Sequence, residues 1–304
     1  MTPVSFDGAV GYTRPSDGHH LIIVVGGFDS SGVVRDLVQT YDVETGSWSS
    51  GTPMTAPRAN VNAVSVYDKV FIMGGTTGNA AAAWAGSTTN YQYTVGSTWS
   101  TMTAYAAGNN SERMTYAYND TVYNLAGRSA AAAVAASAHD GYSIAANALT
   151  TGATETVMVT PRTGVAGALW VPQSPLTGPA KILLVGGFSS LTGTTSSCIV
   201  SAGTTLNTAS ALFQYLNYPF AAPSVWTAPA SQYPQAIGFG AAAVYQNTLY
   251  HFGGTATVVA SPAPLASGTV AAYSFNLSNF TNSWTAITNM PVGRYGHCAV
   301  TFPQ

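Results

Sequence analysis

The chain has 304 residues, 46% of them hydrophobic, enough for one large β or repeat domain with a substantial core. Charged residues make up only 7% and the formal net charge is −2, so nothing steers the chain toward nucleic acid or an acidic membrane surface. No run of about 18 apolar residues could span a bilayer. The N-terminal MTPVSFDGAVGYT lacks the basic start and apolar centre of a secretory signal.

The low charge means that Ser, Thr, Asn, Gln, Gly and Ala must cover most of the surface, since ordinary soluble domains carry about 25% charged residues. Two cysteines, Cys198 and Cys298, are too few for a disulfide framework or a Cys-based metal site. A single bridge and two buried thiols both remain open.

Taken in chain order, one pattern recurs. An apolar run ending in small residues occurs as LIIVVGG (21–27), VFIMGG (70–75), VYNLAG (122–127), KILLVGG (181–187) and LYHFGG (249–254). Their last glycines, Gly27, Gly75, Gly127, Gly187 and Gly254, lie 48, 52, 60 and 67 residues apart. Before each later run stands a short strand, expected at 61–67, 114–118, 165–171 and 237–245. Polar connections (Asp68-Lys69, Asn119-Asp120, Gln246-Asn247) suit tight hairpins, and a longer Pro/Gly loop fills 172–179. After each run comes a strand carrying an aromatic: Tyr41, Tyr91 or Tyr93, Tyr142, Tyr215, Tyr273. A fourth strand opens with Trp48, Trp99, Trp226 and Trp284. The third repeat has no such Trp, and its fourth strand is expected at 154–159.

Four short strands per repeat, set radially, describe a propeller blade. Gly26-Gly27, Tyr41 and Trp48, with the seven-residue Tyr-to-Trp gap and a period near 50 residues, resemble the kelch family over essentially the whole chain. The resemblance is good in the first two repeats, fair in the fifth and degenerate in the third and fourth, where Ala126 replaces the first glycine. It implies an all-β, kelch-like β-propeller of about five four-stranded blades, a single domain over 1–304. The aromatics are expected to fill inter-blade wedges.

The ends do not close the count. The segments Met1–Val10, Met54–Arg58 with the strand after it, and Met290–Val300 resemble one another, giving six first strands against five glycine-ended ones. Either one terminal strand closes a five-bladed ring by pairing with the other end's blade, or the chain is part of a six- or seven-bladed ring. An unpaired edge needs a partner in both cases.

Insertions fall between the second and third strands, at 76–89, 128–140, 188–210 and 255–268, hence on one face of the disc; three of the four contain no charged residue. They read as compact small-residue loops, because their Ala runs are too short for stable isolated helices.

No catalytic constellation stands out. The three glutamates, Glu44, Glu112 and Glu155, show no pairing, and the aspartates mostly occupy turns. There is no phosphate loop, no Gly-x-Ser-x-Gly and no metal-ligand spacing, so neither metal nor cofactor is expected. A copper-radical oxidase would need Cys, Tyr and His around one metal, and the cysteines lie in no such motif. Gly96-Ser97-Thr98-Trp99 matches only the tail of a sialidase box. His19-His20 reads as a solvated turn.

Arg58, Arg113, Arg162 and Arg294 recur at what reads as one blade position. They are either a ring of cations at the channel mouth or inter-blade braces for carbonyls. His297 follows on a strand expected to line the channel. Asn109, Asn119, Asn276 and Asn279 head Asn-x-Ser/Thr sequons, about as many as chance gives in so Ser/Thr-rich a chain; Asn119 at a hairpin tip and Asn276/Asn279 in a loop are placed to carry glycans.

These observations favour a non-enzymatic binding or scaffold propeller, extracellular or at the cell surface, with a protein partner, a second copy or a glycan contacting the charge-poor loops. The alternative is a carbohydrate- or small-molecule-acting enzyme at the axial mouth, built from His297, Arg294, Arg58, Arg113 and Tyr295.

Overall fold

The structure, a computed structural model, describes residues 1–79, 86–104, 112–128, 139–150, 158, 160–190, 208–220, 224–256 and 268–302. Among these residues all regular elements are β-strands. Blade 1 is Gly8–Thr13, His20–Val25, Val38–Asp42 and Ser47–Ser50; blade 2 is Ala63–Val66, Lys69–Met73, Asn90–Thr94 and Trp99–Met102. Blade 3 is Met114–Tyr118, Thr121–Leu125, His139–Ser143 and Ala148–Thr150. Blade 4 is Ala166–Trp170, Lys181–Val185 and Phe213–Asn217, its fourth strand reduced to a bridge between Tyr215 and Thr227. Blade 5 is Ala241–Tyr245, Thr248–Phe252, Ala272–Asn276 and Thr285–Ala286. Every sheet is an antiparallel meander in chain order.

The second strands of blades 2 to 4 have both faces covered by neighbouring blades. Ile182, Leu183 and Leu184 are successive residues, and all are fully buried. Continuous apolar runs are what a strand buried on two sides requires. The hairpins into these strands turn on two residues, Tyr67-Asp68, Asn119-Asp120 and Gln246-Asn247, whose first member has φ of 56°, 52° and 52°. The first of these starts one residue before the expected Asp68-Lys69. The fourth strand of blade 3 is Ala148–Thr150 rather than 154–159, since Tyr142 pairs with Leu149. The Asp120 carboxylate accepts the Ala145 N–H at 3.0 Å, and Asn147 takes φ 47°, closing the turn early.

The glycine pair fixes how each blade meets the segment entering the next one. Gly27 N–H donates to Arg58 O at 2.8 Å, Gly127 to Arg162 O at 3.1 Å, Gly187 to Ile237 O at 2.7 Å and Gly254 to Arg294 O at 2.8 Å. A methyl group on Gly26 (φ 65°) would sit 2.2 Å from the Arg58 carbonyl oxygen. Gly26→Ala is therefore expected to destabilise by about 2–4 kcal/mol, combining left-handed strain with a clash against backbone. Ala126 already holds this place in blade 3 at φ 61°. Ala126→Gly should stay within about 1 kcal/mol of wild type, because relief of strain opposes a lost buried methyl and a freer unfolded chain. Urea unfolding of both variants checks the pair.

At the axis, the backbone shows a symmetry that the side chains conceal. Phe6, Asn60, Glu112, Gly164, Phe239 and Gly296 all have φ between 52° and 60°. Asn60 N–H donates to Phe6 O (2.8 Å), Glu112 to Asn60 (3.1 Å), Phe239 to Gly164 (2.7 Å), Gly296 to Phe239 (2.8 Å) and Phe6 to Gly296 (2.7 Å). Six equivalent places thus stand around the axis, five of the six steps between them bridged by these bonds. Five places lead into the innermost strands of the five blades. The sixth, Gly296, leads into Cys298–Phe302, which lies where an innermost strand belongs but joins no sheet. Of the two readings of the surplus strand, pairing of a terminal strand into the other end's blade is not found among the described residues: blade 1 is built from its own four strands.

Apolar clusters join blades 1 to 2, 2 to 3, 3 to 4 and 4 to 5. Among the described residues no cluster joins the sheet face of blade 5 to that of blade 1. Ile23 and Val25, facing blade 2, are fully buried, while Ile22 and Val24, on the opposite face of the same strand, are only half-buried. The kelch-position aromatics follow the same rule. Tyr93, which pairs with Trp99, packs into the cluster with blade 1, and Tyr142 into the cluster with blade 2. Among the described residues no sheet covers their blade 1 counterparts, Tyr41 and Trp48, and Trp48 is 42% exposed. Trp48 thus departs from the expected wedge-filling role.

Candidate functional site

The four arginines do not form a ring of free cations. Arg58, Arg162 and Arg294 each lie two residues before an axial-ring residue. Arg113 lies one residue after Glu112, three places out of register with them. Arg58 is buried, with Nη1 donating to Pro57 O at 2.9 Å and its guanidinium 5.2 Å over the Tyr91 ring. Arg113 is buried, with Nη2 donating to Asn124 O at 2.9 Å and paired to Asp140 at 2.6 Å. Arg162 is fully buried, with Nη1 donating to Gly186 O (2.7 Å) and Leu212 O (2.9 Å) and Nη2 to Gln214 Oε1 (2.7 Å). Only Arg294 is exposed. The braces run within the blade each segment enters rather than between blades: Arg113 ties to blade 3, Arg162 to blade 4, and the one carbonyl bond of Arg58 is to its neighbour Pro57.

Sequence reasoning left Glu112 unpaired and singled out no role for Arg128. Both are buried, Arg128 Nη1 lies 3.4 Å from Glu112 Oε1, and Thr163 Oγ1 donates to Glu112 Oε2 at 2.6 Å. The available signal was positional: Arg128 directly follows the Gly127 of its blade, where Phe28, Thr76, Phe188 and Thr255 stand elsewhere. This places its side chain over the ring residue of the same blade.

The axial cavity has a volume of about 70 Å³ and is lined by Phe6, Asp7, Asn62, Glu112, Phe239 and His297 among others. Phe6 and Phe239 pack edge-to-face at 5.6 Å, and with Phe28, Phe188 and Tyr295 they close this end of the axis. That space admits a few waters and falls well short of the roughly 300 Å³ at which small-molecule sites begin. His297 is held neutral, its pKa pushed down to about 4, first by burial and then by the Arg294 charge. Neither ring nitrogen makes a well-formed hydrogen bond, although the Phe252 backbone lies close. Asp7 is raised to about 6 by burial. The constellation His297, Arg294, Arg58, Arg113 and Tyr295 is not brought together: two of its cations are locked into separate blades.

Cys298 is a free thiol whose Sγ–H donates to Asp7 O at 3.2 Å; burial pushes its pKa up, which makes it a poor nucleophile. Cys198 and Asn109 lie outside the described residues. Asn119, Asn276 and Asn279 are exposed. Asn276 Oδ1 accepts from Ser278 N–H at 2.9 Å, and Asn279 Oδ1 from Thr281 N–H at 3.0 Å, so each folds back on its own sequon. The insertions fall largely outside the described residues. Their roots share one face, fixed by bridges Ala59–Thr76, Thr163–Phe188 and Gly238–Thr255.

At the rim of blade 1 the structure brings His19, Asp42 and Glu44 within 4.8 Å of one another. His19 Nδ1 already lies 2.8 Å from Asp42 Oδ2, and the Arg14 guanidinium reaches the same oxygen at 3.2 Å. A resident guanidinium makes this an exposed ion-pair network, which agrees with the solvated turn read from the sequence.

A larger opening lies elsewhere. A cleft of about 600 Å³ runs between blade 1 and the final segment, lined by Val4, Ala9, Ile22, Val24, Arg294 and Val300 among others.

Fold and site together define an all-β propeller of five blades in which the buried arginines among the described residues are tied to groups of their own blades. Residues 19–55, from the second strand of blade 1 through the segment beyond its fourth, match the kelch motif. The chain is thus an all-β propeller of five blades whose first blade carries a kelch motif.

Proposed function

We propose that this propeller is a non-enzymatic binding or scaffold subunit, working outside the cell or at its surface, whose charge-poor loops between second and third strands contact a protein partner or a second copy. The observation that carries the reading is the use of the interior ionisable groups as braces around an axis closed by Phe6 and Phe239. The 7% charge supports contacts made by small-residue surfaces that pack closely with little desolvation of charge. The exposed sequons at Asn276 and Asn279 would carry glycans in that setting.

Light scattering on purified protein tests the self-contact form. Wild type is expected to assemble at micromolar concentration, and a variant with 80–85 and 129–136 each replaced by Gly-Ser-Gly to remain monomeric with an unchanged melting temperature. Equal association states for the two proteins, with no difference in retained partners on affinity capture, would remove the loops from the reading.

A further inference from the structure

The seam between blades 3 and 4 holds a buried phenol set against a buried base. Tyr116 lies on the first strand of blade 3, and His139 opens the third strand of the same blade. Tyr116 Oη is 2.7 Å from His139 Nε2. The Tyr116 ring stacks on Tyr123, with centroids 5.1 Å apart and planes 8° from parallel. Phe220, from blade 4, stands edge-on to both rings at 5.7 and 5.4 Å.

Rings connect this pair to solvent. Tyr118 follows two residues along the strand and so shares the face of Tyr116. It is half-buried and meets Phe220 at 6.0 Å and Tyr218, which is 40% exposed, at 5.0 Å. Tyr218 reaches Phe220 at 5.4 Å. Two phenols near the surface are therefore one or two ring contacts from a phenol in the interior. An isolated buried phenol holds its electron, because the radical cation left behind is an unpaired charge in an apolar seam. A base within hydrogen-bond reach takes the proton as the electron leaves, so that this intermediate is bypassed. In its Nδ1-protonated tautomer, His139 presents Nε2 as that acceptor.

We propose that Tyr116 is a redox-active tyrosine, the resting place of an electron hole delivered through Tyr118 and Tyr218 by a one-electron oxidant in solvent. The oxidant takes one electron from a surface phenol, whose proton passes to water. Tyr116 then gives one electron to that surface radical, which recovers a proton from water, while the Tyr116 Oη–H proton moves to His139 Nε2. The net products are the reduced oxidant, a neutral Tyr116 phenoxyl radical and a His139 imidazolium. The parallel Tyr123 ring stabilises the electron-poor ring by stacking, and the seam excludes water and second radicals that would consume it. A reductant of the ascorbate or thiol class returns the electron, and His139 returns the proton. Holes held there are kept from Met114 and Met158, which are buried in the same cluster. The site is separate from the loop contacts, and its test does not use them.

The probe oxidant is a photogenerated ruthenium(III) polypyridyl complex, applied to the whole chain and followed by flash absorption and electron paramagnetic resonance. Wild type should give a tyrosyl radical that outlives the one in Tyr116→Phe at least about tenfold. His139→Gln, which keeps a hydrogen-bonding group but loses the base, should lower the yield of the long-lived radical at least about tenfold. Tyr118→Phe combined with Tyr218→Phe should slow its appearance and leave its lifetime unchanged. Tyr233→Phe is the control: this second buried phenol lies 2.9 Å from His251 Nδ1 but meets Tyr273 and Trp284 edge-on, and its loss should change nothing. His139→Gln stands in for Tyr116→Phe if the latter fails to fold by circular dichroism. A long-lived signal undiminished in Tyr116→Phe and His139→Gln, one lost with Tyr233→Phe instead, or a rise indifferent to removal of both surface phenols would each overturn the proposal.

Discussion

Arg162→Met is expected to melt roughly 5–10 °C below wild type, a loss of about 3 kcal/mol. Arg162 is fully buried and joins three acceptors, two of them main-chain carbonyls of blade 4, Gly186 O and Leu212 O. Methionine fills much of the volume but donates nothing, so two buried carbonyls and the Gln214 amide oxygen lose their donor. Each buried acceptor left unsatisfied costs about 1–3 kcal/mol. Relief from burying the guanidinium offsets part of this: burial already lowers the Arg162 pKa to about 10, and no carboxylate pairs with it among the described residues. Arg162→Lys should fall between the two proteins, since one ammonium cannot span three acceptors set by a planar fork. A Met variant melting within 2 °C of wild type would mean that water serves those carbonyls, and the side chain would return as a candidate for anion binding.

That result also separates what the sequence could disclose from what it could not. The blades were legible because their signals are carried by residue type: an apolar run, paired glycines, Tyr, then Trp. That arginines such as Arg162 would bond buried carbonyls was legible as one of two readings, but the carbonyls belong to its own blade and not to a neighbour. The register of Arg113 was not, since its segment has lost the Met/Pro context that marks Arg58 and Arg294. The Glu112–Arg128 pair was missed because its partners are 16 residues apart and belong to no shared motif. The six-place ring was hidden for a deeper reason. Its members are two Phe, one Asn, one Glu and two Gly, which share only a backbone angle. The surplus first strand was its one visible trace. Trp48 shows the complement: its motif identifies a packing residue, while its exposure depends on whether another sheet stands beside it. Residue type encodes the local blade; the number of places around the axis is a property of the count.

Stability should fall as pH drops from 6.5 to 4, and His251 should account for the largest single share. His251 is 1% exposed, its Nδ1 lies 2.9 Å from Tyr233 OH, and burial holds its pKa at about 3, helped by the nearby His297. The unfolded chain takes up a proton near pH 6.5. Between those values the unfolded state therefore binds the extra proton, and stability is lost at about 1.4 kcal/mol per pH unit. His297, lowered to about 4, acts in the same direction. Asp7 acts oppositely: raised to about 6 by burial, it holds a proton in the folded state above its unfolded pKa, so its contribution improves as pH falls toward 4. Two groups against one leave a net loss in this window.

His251→Gln removes the dominant titration while keeping a polar group near Tyr233. It is expected to be less stable than wild type at pH 7, yet to lose about 2.5 kcal/mol less than wild type between pH 7 and 4.5. Asp7 and His297 remain in both proteins, so the difference isolates His251. Urea unfolding at the two pH values gives the comparison directly. If both proteins lost the same stability, His251 would have to titrate normally in the folded state, which its burial beneath blade 5 does not permit without water entering the seam with blade 4. Hydrogen exchange at Leu249 and Phe252 at pH 4.5 would then show that opening.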